Sequence, residues 1–168
     1  SDLVIDGLDT LAEVRLNGVM VLEAANVHRR WRVDASTALR QGENHSEILF
    51  RSPVREAAAR QAGMPFHIPS QEVNGPIPNA NMLRKQQCDF GWDWNIALAS
   101  FGVYGDLRLE VMAARVTDVI VAQVHAPGRV VVTARAAVSG AGAVSFALCG
   151  VTAQAEVRGG WAEAELVI

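Results

Sequence analysis

Residues 81–95 carry the side chains in this chain that are best suited to bind a ligand. Trp92 and Trp94 stand on either side of Asp93, and amide, basic and acidic side chains precede them. A pyranose ring presents apolar C–H faces that lie against indole, and hydroxyl edges that need carboxylate, amide or guanidinium partners. The run therefore indicates a sugar-binding site in which Trp92 and Asp93 contact the ligand.

The same residue types also suit a structural role. In this alternative, Trp92 and Trp94 pack in a buried corner, and Arg84 or backbone N–H groups hold the carboxylate of Asp93. The residue types alone favour neither interpretation. The two differ in what truncation of Asp93 would do, because loss of a binding group lowers turnover whereas loss of a buried ion pair lowers stability.

Composition and charge limit the classes of function. The chain has 168 residues, 50% hydrophobic and 20% charged, which suffices for one ordinary domain or for one small domain with part of another. Its formal net charge is −3, and the sequence contains no block of like charge. This balance argues against nucleic acid or an anionic membrane as the main partner.

No signal peptide and no apolar run of about 18 residues are present in the sequence. Because the chain opens at Ser1 almost directly in a strand pattern, we expect it to begin inside a domain, and the compartment stays undetermined.

Cys88 and Cys149 show no disulfide-framework or zinc-ligand spacing, so both are predicted to be buried thiols. His67 has no second ligand at metal spacing, and neither a metal nor a cofactor is expected.

Alternating apolar and polar residues predict strands through the first half of the chain. Residues 11–16 alternate, Asn17-Gly18 supplies the two positive-φ residues of a type I′ turn, and residues 19–22 form the returning strand. The arginines of a predicted strand at 27–34 are interpreted as a solvated or ion-paired face. Other strands are predicted at 3–5, 45–52 and 107–112.

One helix is predicted at residues 54–62, which are rich in alanine and are followed by Gly63 and Pro65. Residues 63–81 contain four of the six prolines and are too irregular for a regular element. Long loops inside compact domains are more often functional than filler. This stretch leads directly into the tryptophan-rich run.

The sequence pattern changes near Ala113, which predicts a boundary between units 1–112 and 113–168. Beyond it, short alternating strands separated by glycine-containing turns follow one another without helices, which suggests an immunoglobulin-like sandwich. The second unit has fewer residues than the roughly 100 of such a domain, so it is predicted to be partial. Its strands are predicted at 116–125, 129–138, 143–149, 153–158 and 161–168.

Four motifs together resemble the sugar-binding domain of family-2 glycoside hydrolases, and the β-mannosidase branch in particular. A hairpin motif joins Val-Ile-Asp-Gly-Leu-Asp-Thr at 4–10 to Ala-Glu-Val-Arg-Leu-Asn-Gly at 12–18. Phe-Arg-Ser-Pro at 50–53, Asn-Met-Leu-Arg-Lys at 81–85 and Phe-Gly-Trp-Asp-Trp at 90–94 follow in the same order. The resemblance is close over residues 1–112 and looser beyond.

The resemblance implies an all-β fold: a jelly-roll-like sandwich over 1–112, expected to lack its first strands, one short helix, then a partial immunoglobulin-like sandwich over 113–168. In that family a (β/α)₈ barrel follows and carries both catalytic glutamates. A retaining glycosidase needs two carboxyl groups about 5 to 5.5 Å apart. Neither the family's acid/base segment nor its nucleophile segment is present in this sequence, so no catalytic residue is assigned to this chain.

The resemblance also assigns expected roles to individual residues of this chain, by matching each one to the position of a functional residue in the family's motifs. The resemblance implies that Asp93 hydrogen-bonds hydroxyls of the mannose next to the cleaved bond and that Trp92 shapes the pocket wall. Arg84 and Lys85 match a basic pair expected to brace the loop through carboxylates such as Asp89. Trp94 and Asn81 are expected to support the pocket. The sequence departs from the family pattern at two places, Asn95-Ile96 and Gly105-Asp106, which leaves the path of the loop open.

Two functions of different class remain open. The first is the non-catalytic front of a β-mannosidase-like retaining hydrolase, whose partners would be a β-mannoside or manno-oligosaccharide substrate and the catalytic barrel. The second is a free-standing carbohydrate-binding or adhesion-type β-sandwich module. A barrel with two carboxylates in the complete reading frame would favour the first.

Overall fold

The computed structural model describes residues 1–70 and 75–168 and divides them into two compact units, 1–111 and 112–168. Residues 71–74, within the irregular stretch predicted at 63–81, lie outside the described residues. The division lies one residue from the predicted boundary. The identity of each unit as a jelly-roll-like or an immunoglobulin-like domain stays a prediction.

The first unit is built from antiparallel sheets. Its strands are β1 (Asp2–Ile5), β2 (Leu8–Asp9), β3 (Leu11–Leu16), β4 (Val19–Ala25), β5 (Trp31–Asp34), β6 (Ser46–Phe50), β7 (Gly102–Val103) and β8 (Leu107–Glu110). In sheet order, β5-β1-β8 and β4-β3-β6 form two three-stranded sheets, and β2-β7 forms a short two-stranded one.

The hairpin of β3 and β4 confirms the predicted turn. Asn17 has a φ of 52° and Gly18 a φ of 83°, the positive values that a type I′ turn requires. Apolar side chains from this sheet and from β1 share one core, and each fully buried aliphatic side chain contributes roughly 1.5–3 kcal/mol. The buried members of this core are Leu3, Ile5, Leu8, Ala12, Val14, Leu16, Leu22, Ala24, Ala35 and Ala38.

The predicted helix is α1 (Pro53–Ala62). Its start is fixed by Ser52, whose side-chain oxygen accepts the N–H of Arg55 at 3.4 Å, and by proline in the first turn. Two 3₁₀-helices, Ala80–Met82 and Gln87–Phe90, lie in the tryptophan-rich region. Among the described residues, no helix is both long and apolar enough to cross a membrane.

The strand predicted at 27–34 is wrong in its first half. Residues 27–30 form a turn and irregular backbone, and only Trp31–Asp34 pairs, as β5, with β1. The side-chain oxygen of Asn26 accepts the N–H of His28 at 2.9 Å, a local Asx turn that competes with strand pairing. Val27 is nevertheless buried, and its N–H donates to the carbonyl of Arg84 at 3.0 Å.

The strands of the second unit are β9 (Arg115–Ala126), β10 (Arg129–Ser139), β11 (Ala143–Leu148), β12 (Val151–Glu156) and β13 (Trp161–Val167). They form two antiparallel sheets, β13-β10-β9 and β11-β12, and side chains from both sheets form a small core around Phe146 and Leu166. A strand lies at each of the five predicted places, although β12 begins and ends two residues earlier than predicted. With the strands of the first unit, this confirms the all-β fold.

The prediction of two buried thiols is wrong. Cys149 is exposed and Cys88 is only partly buried, and both are free. Cys149 has a φ of 50° and Gly150 a φ of 81°, so these residues form the tight turn between β11 and β12. A cysteine at a positive-φ turn position is uncommon, which is why the sequence pattern extended the strand through Cys149.

Ion pairs join β1 to the strands on both sides of it. Arg32 of β5 lies 3.0 Å from Asp2 and 2.7 Å from Glu110 of β8. Arg108 contacts Asp6 and lies 2.9 Å from Glu110. The hydrogen bond from Arg32 lowers the pKa of Glu110, and the one from Arg108 lowers the pKa of Asp6. Arg32 thus forms the ion-paired face that its sequence pattern predicted.

We expect Glu110→Gln to lower the melting temperature near neutral pH and to have a smaller effect in acid. The pKa of Glu110 is lowered in the folded chain, so its contribution is present above the ordinary pKa of glutamate and is lost as the pH falls through the folded value. Thermal unfolding of the wild type and the variant between about pH 7 and pH 3 measures this. Glu43→Gln, at an exposed loop residue outside the described ion pairs, is the control; an equal Glu110→Gln effect at every pH would contradict the account.

Candidate sugar-binding loop

A buried ion cluster lies at the base of the tryptophan-rich region. The side chain of Lys85 has 0% exposure, and its Nζ contacts Oδ2 of both Asp9 and Asp89. Asp9 has 11% and Asp89 23% side-chain exposure, so the cation is more deeply buried than either anion. Because an unpaired charge is costly in such a place, the two carboxylates fix where the ammonium lies.

Asp9 is placed by the short sheet of β2 and β7, in which Leu8 pairs with Val103 and Asp9 with Gly102. Leu8 is fully buried, and the hydroxyl of Thr10 donates to the second carboxylate oxygen of Asp9. The carboxylate is therefore satisfied on both oxygens. The contact between Asp9 and Lys85 joins residues 76 positions apart in the sequence.

The segment that follows Lys85 is anchored by Phe90 and by the backbone of Asp89. Phe90 is 1% exposed and packs in a cluster that includes Leu83 and Ala99. The carbonyl of Asp89 accepts the N–H of Leu98 at 3.2 Å and that of Ala99 at 2.8 Å. Both ends of the intervening loop, residues 91–97, are thus tied to Asp89.

Gly91 is required by the path of this loop. Its φ is 112°, and a Cβ built on it would lie 2.3 Å from Cδ of Pro76. A side chain at this position would therefore clash as well as strain the backbone. Glycine allows the chain to leave the buried Phe90 and turn outward into Trp92.

A tight turn spans Trp92 to Asn95. The N–H of Trp92 donates to the carbonyl of Asn95 at 3.3 Å, and the reverse bond measures 3.2 Å. The side-chain amide of Asn95 donates to the carbonyl of Cys88 at 2.9 Å. The side chain of Asn95 thus closes the turn against the backbone of Cys88.

The turn presents Asp93 and the two indoles. Trp92 is half-buried, Trp94 is 71% exposed, and their ring centroids lie 6.4 Å apart at an interplanar angle of 52°. Asp93 is exposed, and within residues 1–70 and 75–168 its side chain has no hydrogen-bond or ion-pair partner. Such a carboxylate can accept hydrogen bonds from a ligand without first breaking an internal contact.

Arg84 and Asn81 lie at the surface. Arg84 is exposed and, in the described part of the chain, forms no ion pair, so the buried corner in which it holds Asp93 is not present. The amide of Asn81 donates to the carbonyls of Pro69 at 3.1 Å and Ile68 at 3.4 Å. Asn81 therefore joins the 3₁₀-helix at 80–82 to the preceding loop.

Asp9 is the site-supporting residue that sequence reasoning missed. It lies within the hairpin motif that carried the family resemblance, but a carboxylate in a strand motif gives no sign of a partner 76 positions away. Among the described residues, no group of three or more potential ligands is placed to hold a metal ion. The side chains exposed at the loop can accept hydrogen bonds, through Asp93, and stack on a ligand, through indole.

Comparison with known proteins shows what the chain is similar to. Residues 1–105 match the family described as glycosyl hydrolase 2 galactose-binding domain-like. "Beta-mannosidase B" of Emericella nidulans is 35% identical over 145 residues, which are 83% of this chain and 17% of the relative. The protein of the same name from Aspergillus terreus is 40% identical over 117 residues, or 69% of this chain and 14% of the relative.

Two solved structures share the fold of this chain. The β-D-mannosidase from Dictyoglomus thermophilum matches with a TM-score of 0.82 at 23% identity, over 99% of this chain and 22% of that chain. A β-glucuronidase from Bifidobacterium dentium matches with a TM-score of 0.57 at 15% identity, over 99% of this chain and 30% of that one. The chain thus spans less than a third of the length of each of these four proteins.

We expect Lys85→Met to lower the free energy of unfolding of the first unit by about 3–5 kcal/mol, because it leaves two carboxylates near one another without their cation. Arg84→Met is the matched control, and at an exposed position it should change stability by no more than about 0.5 kcal/mol. Urea unfolding followed by near-ultraviolet circular dichroism measures both. Adding Asp9→Asn to Lys85→Met should restore part of the loss; equal stability of all the variants would contradict the assignment.

Proposed function

Because the chain belongs to the family of glycosyl hydrolase 2 galactose-binding domain-like proteins, we propose that it supplies Asp93 and Trp92 to the substrate pocket of a β-mannosidase-like retaining glycoside hydrolase. The catalytic barrel and both catalytic glutamates lie outside these 168 residues in this proposal. The role of the chain is to bind and orient a β-mannoside, and by itself it has no hydrolytic activity.

The observation that carries the proposal is the exposed carboxylate of Asp93, which has no hydrogen-bond or ion-pair partner among the described residues and follows Trp92 in the same tight turn. A sugar stacked on an indole turns its hydroxyl edge sideways, where a carboxylate can accept hydrogen bonds. A charge-assisted hydrogen bond of this kind contributes roughly 1.5–3 kcal/mol. Each of these contacts falls on the sugar, and none takes part in bond cleavage.

The bracing of the loop supports the same role. Lys85 and its two carboxylates hold the base, and Asn95 closes the turn through the carbonyl of Cys88. A binding group held in its productive position before the ligand arrives loses less conformational entropy on binding. Asp93, without a partner in the described part of the chain, therefore lies on a loop whose backbone is held by hydrogen bonds and ion pairs, which suits a group that binds and orients a ligand.

Exposed apolar side chains beside the turn support a macromolecular neighbour. Trp94 is 71%, Ile96 68%, Leu98 67% and Phe101 60% exposed. Apolar surface of this kind commonly marks an interaction site. In this proposal the catalytic barrel covers it and completes the pocket around Asp93.

A free-standing carbohydrate-binding module is the second candidate, and the exposure of Trp94 favours it, because an open ring can stack on a sugar without help from a barrel. Calorimetric titration of the 168-residue chain with mannose separates the two. Micromolar affinity would favour the module, whereas the first proposal requires that mannose binds too weakly to be detected below millimolar concentrations.

In the β-mannosidase that contains this chain, we expect Asp93→Ala to lower kcat/KM for an aryl β-mannoside by about one to two orders of magnitude, since each 1.36 kcal/mol is tenfold. The melting temperature should change little, because no described residue pairs with Asp93. Steady-state kinetics and thermal unfolding of the same preparations measure both quantities. Glu43→Ala, at an exposed loop carboxylate, is the control and should leave both unchanged; a large fall in melting temperature with normal turnover would reject the binding role.

A further inference from the structure

The second unit contains an open cleft of about 430 Å³ that the proposed function does not use. It lies beside the turn that connects β12 to β13, two strands that belong to different sheets. Its lining combines one indole with two basic and two acidic side chains: Arg135, Ala155, Glu156, Arg158, Trp161 and Glu163.

Arg135 and Trp161 form a platform in this cleft. The guanidinium carbon of Arg135 lies 4.2 Å from the centroid of the Trp161 ring, within the range of a cation–π contact. Nε of Arg135 lies 3.7 Å from a carboxylate oxygen of Glu163, the residue opposite it on β13. The guanidinium is therefore held by two neighbours and keeps the indole in place.

Glu156 and Arg158 provide the polar groups that remain available. Both are exposed, and in the described part of the chain neither side chain has a hydrogen-bond or ion-pair partner. Arg158 and Trp161 exchange backbone hydrogen bonds of 2.7 and 3.1 Å across a two-residue turn of Gly159 and Gly160. This pairing places Arg158 across the turn from Trp161, and both residues line the cleft.

The balance of charges selects the ligand class. Two arginines and two glutamates give the lining no formal net charge, so an ionic ligand would meet a repelling group as well as an attracting one. A neutral polyhydroxylated ring can donate to the carboxylate of Glu156, accept from the guanidinium of Arg158 and lay its C–H face against Trp161. We propose that this cleft is a binding site for a neutral sugar. The inference does not depend on the role of Asp93, because all of its residues belong to the second unit.

The test is a titration of the ¹⁵N-labelled 168-residue chain observed by nuclear magnetic resonance, with the indole N–H signal of Trp161 assigned through Trp161→Phe. The probes are methyl β-mannopyranoside as the neutral sugar, glucuronate as the anionic one and glucosamine as the cationic one. We expect a saturable shift of the Trp161 signal with the neutral sugar in the millimolar range, and weaker binding of both charged probes. The signals of Trp92 and Trp94 report separately on the first unit, so a lack of sugar binding at the cleft is distinguishable from a lack of binding at the tryptophan loop.

Two variants locate the interaction. Replacing the unpaired groups in Glu156→Gln/Arg158→Gln should weaken binding by about threefold to tenfold, the loss expected when charge-assisted hydrogen bonds become neutral ones. Glu165→Gln, also on β13 but outside the lining, is the matched control and should bind like the wild type. Absence of a saturable Trp161 shift, tighter binding of a charged probe, or equal binding by the double variant would overturn the proposal.

Discussion

Lys85 is a charge without access to water, and the placement of the tryptophan loop depends on how that charge is satisfied. Two carboxylates from distant parts of the sequence, Asp9 on β2 and Asp89 in a 3₁₀-helix, converge on its ammonium group. Removing an ion from water costs several kcal/mol, which is repaid only where the pairing geometry is good and the remaining polar atoms are bonded. The cluster therefore specifies one position of the segment 85–89 relative to β2.

The chain uses three aspartates of this region in different ways. Asp9 and Asp89 are paired with Lys85 and fix the framework, whereas Asp93 is exposed and without a partner among the described residues. Phe90 and Gly91 connect Asp89 to the exposed turn that carries Asp93. Phe90 is buried, and Gly91 lets the chain turn outward at a position where any Cβ would clash with Pro76. Apolar packing and the buried ion pairs thus stabilise the base of the loop, and Asp93, the proposed binding group, lies exposed at its tip.

The sequence was sufficient for features that depend on local patterning. The Asn17-Gly18 hairpin, helix α1 and the strands of the second unit follow from period-2 and capping signals. Three features were not evident from that patterning. The Asx turn at Asn26 delays the start of the strand predicted at 27–34 until Trp31, Cys149 has a positive φ, and Asp9 pairs with Lys85 through tertiary structure. The residues 81–95 were identified from their chemistry alone, but whether Asp93 was buried or exposed required the fold, because aromatic and charged residues suit both environments.

Hydrogen exchange of the loop amides tests most directly whether the buried ion cluster positions the candidate sugar-binding loop. The N–H groups of Asn95, Leu98 and Ala99 are bonded within residues 89–99, and exchange by these amides requires the loop to open. In Lys85→Met, the account predicts that these amides exchange at least about tenfold faster than in the wild type, in line with a loss above 1.36 kcal/mol, while amides of β10 and β13 are unchanged. Unchanged exchange of the three loop amides in a folded Lys85→Met chain would contradict it.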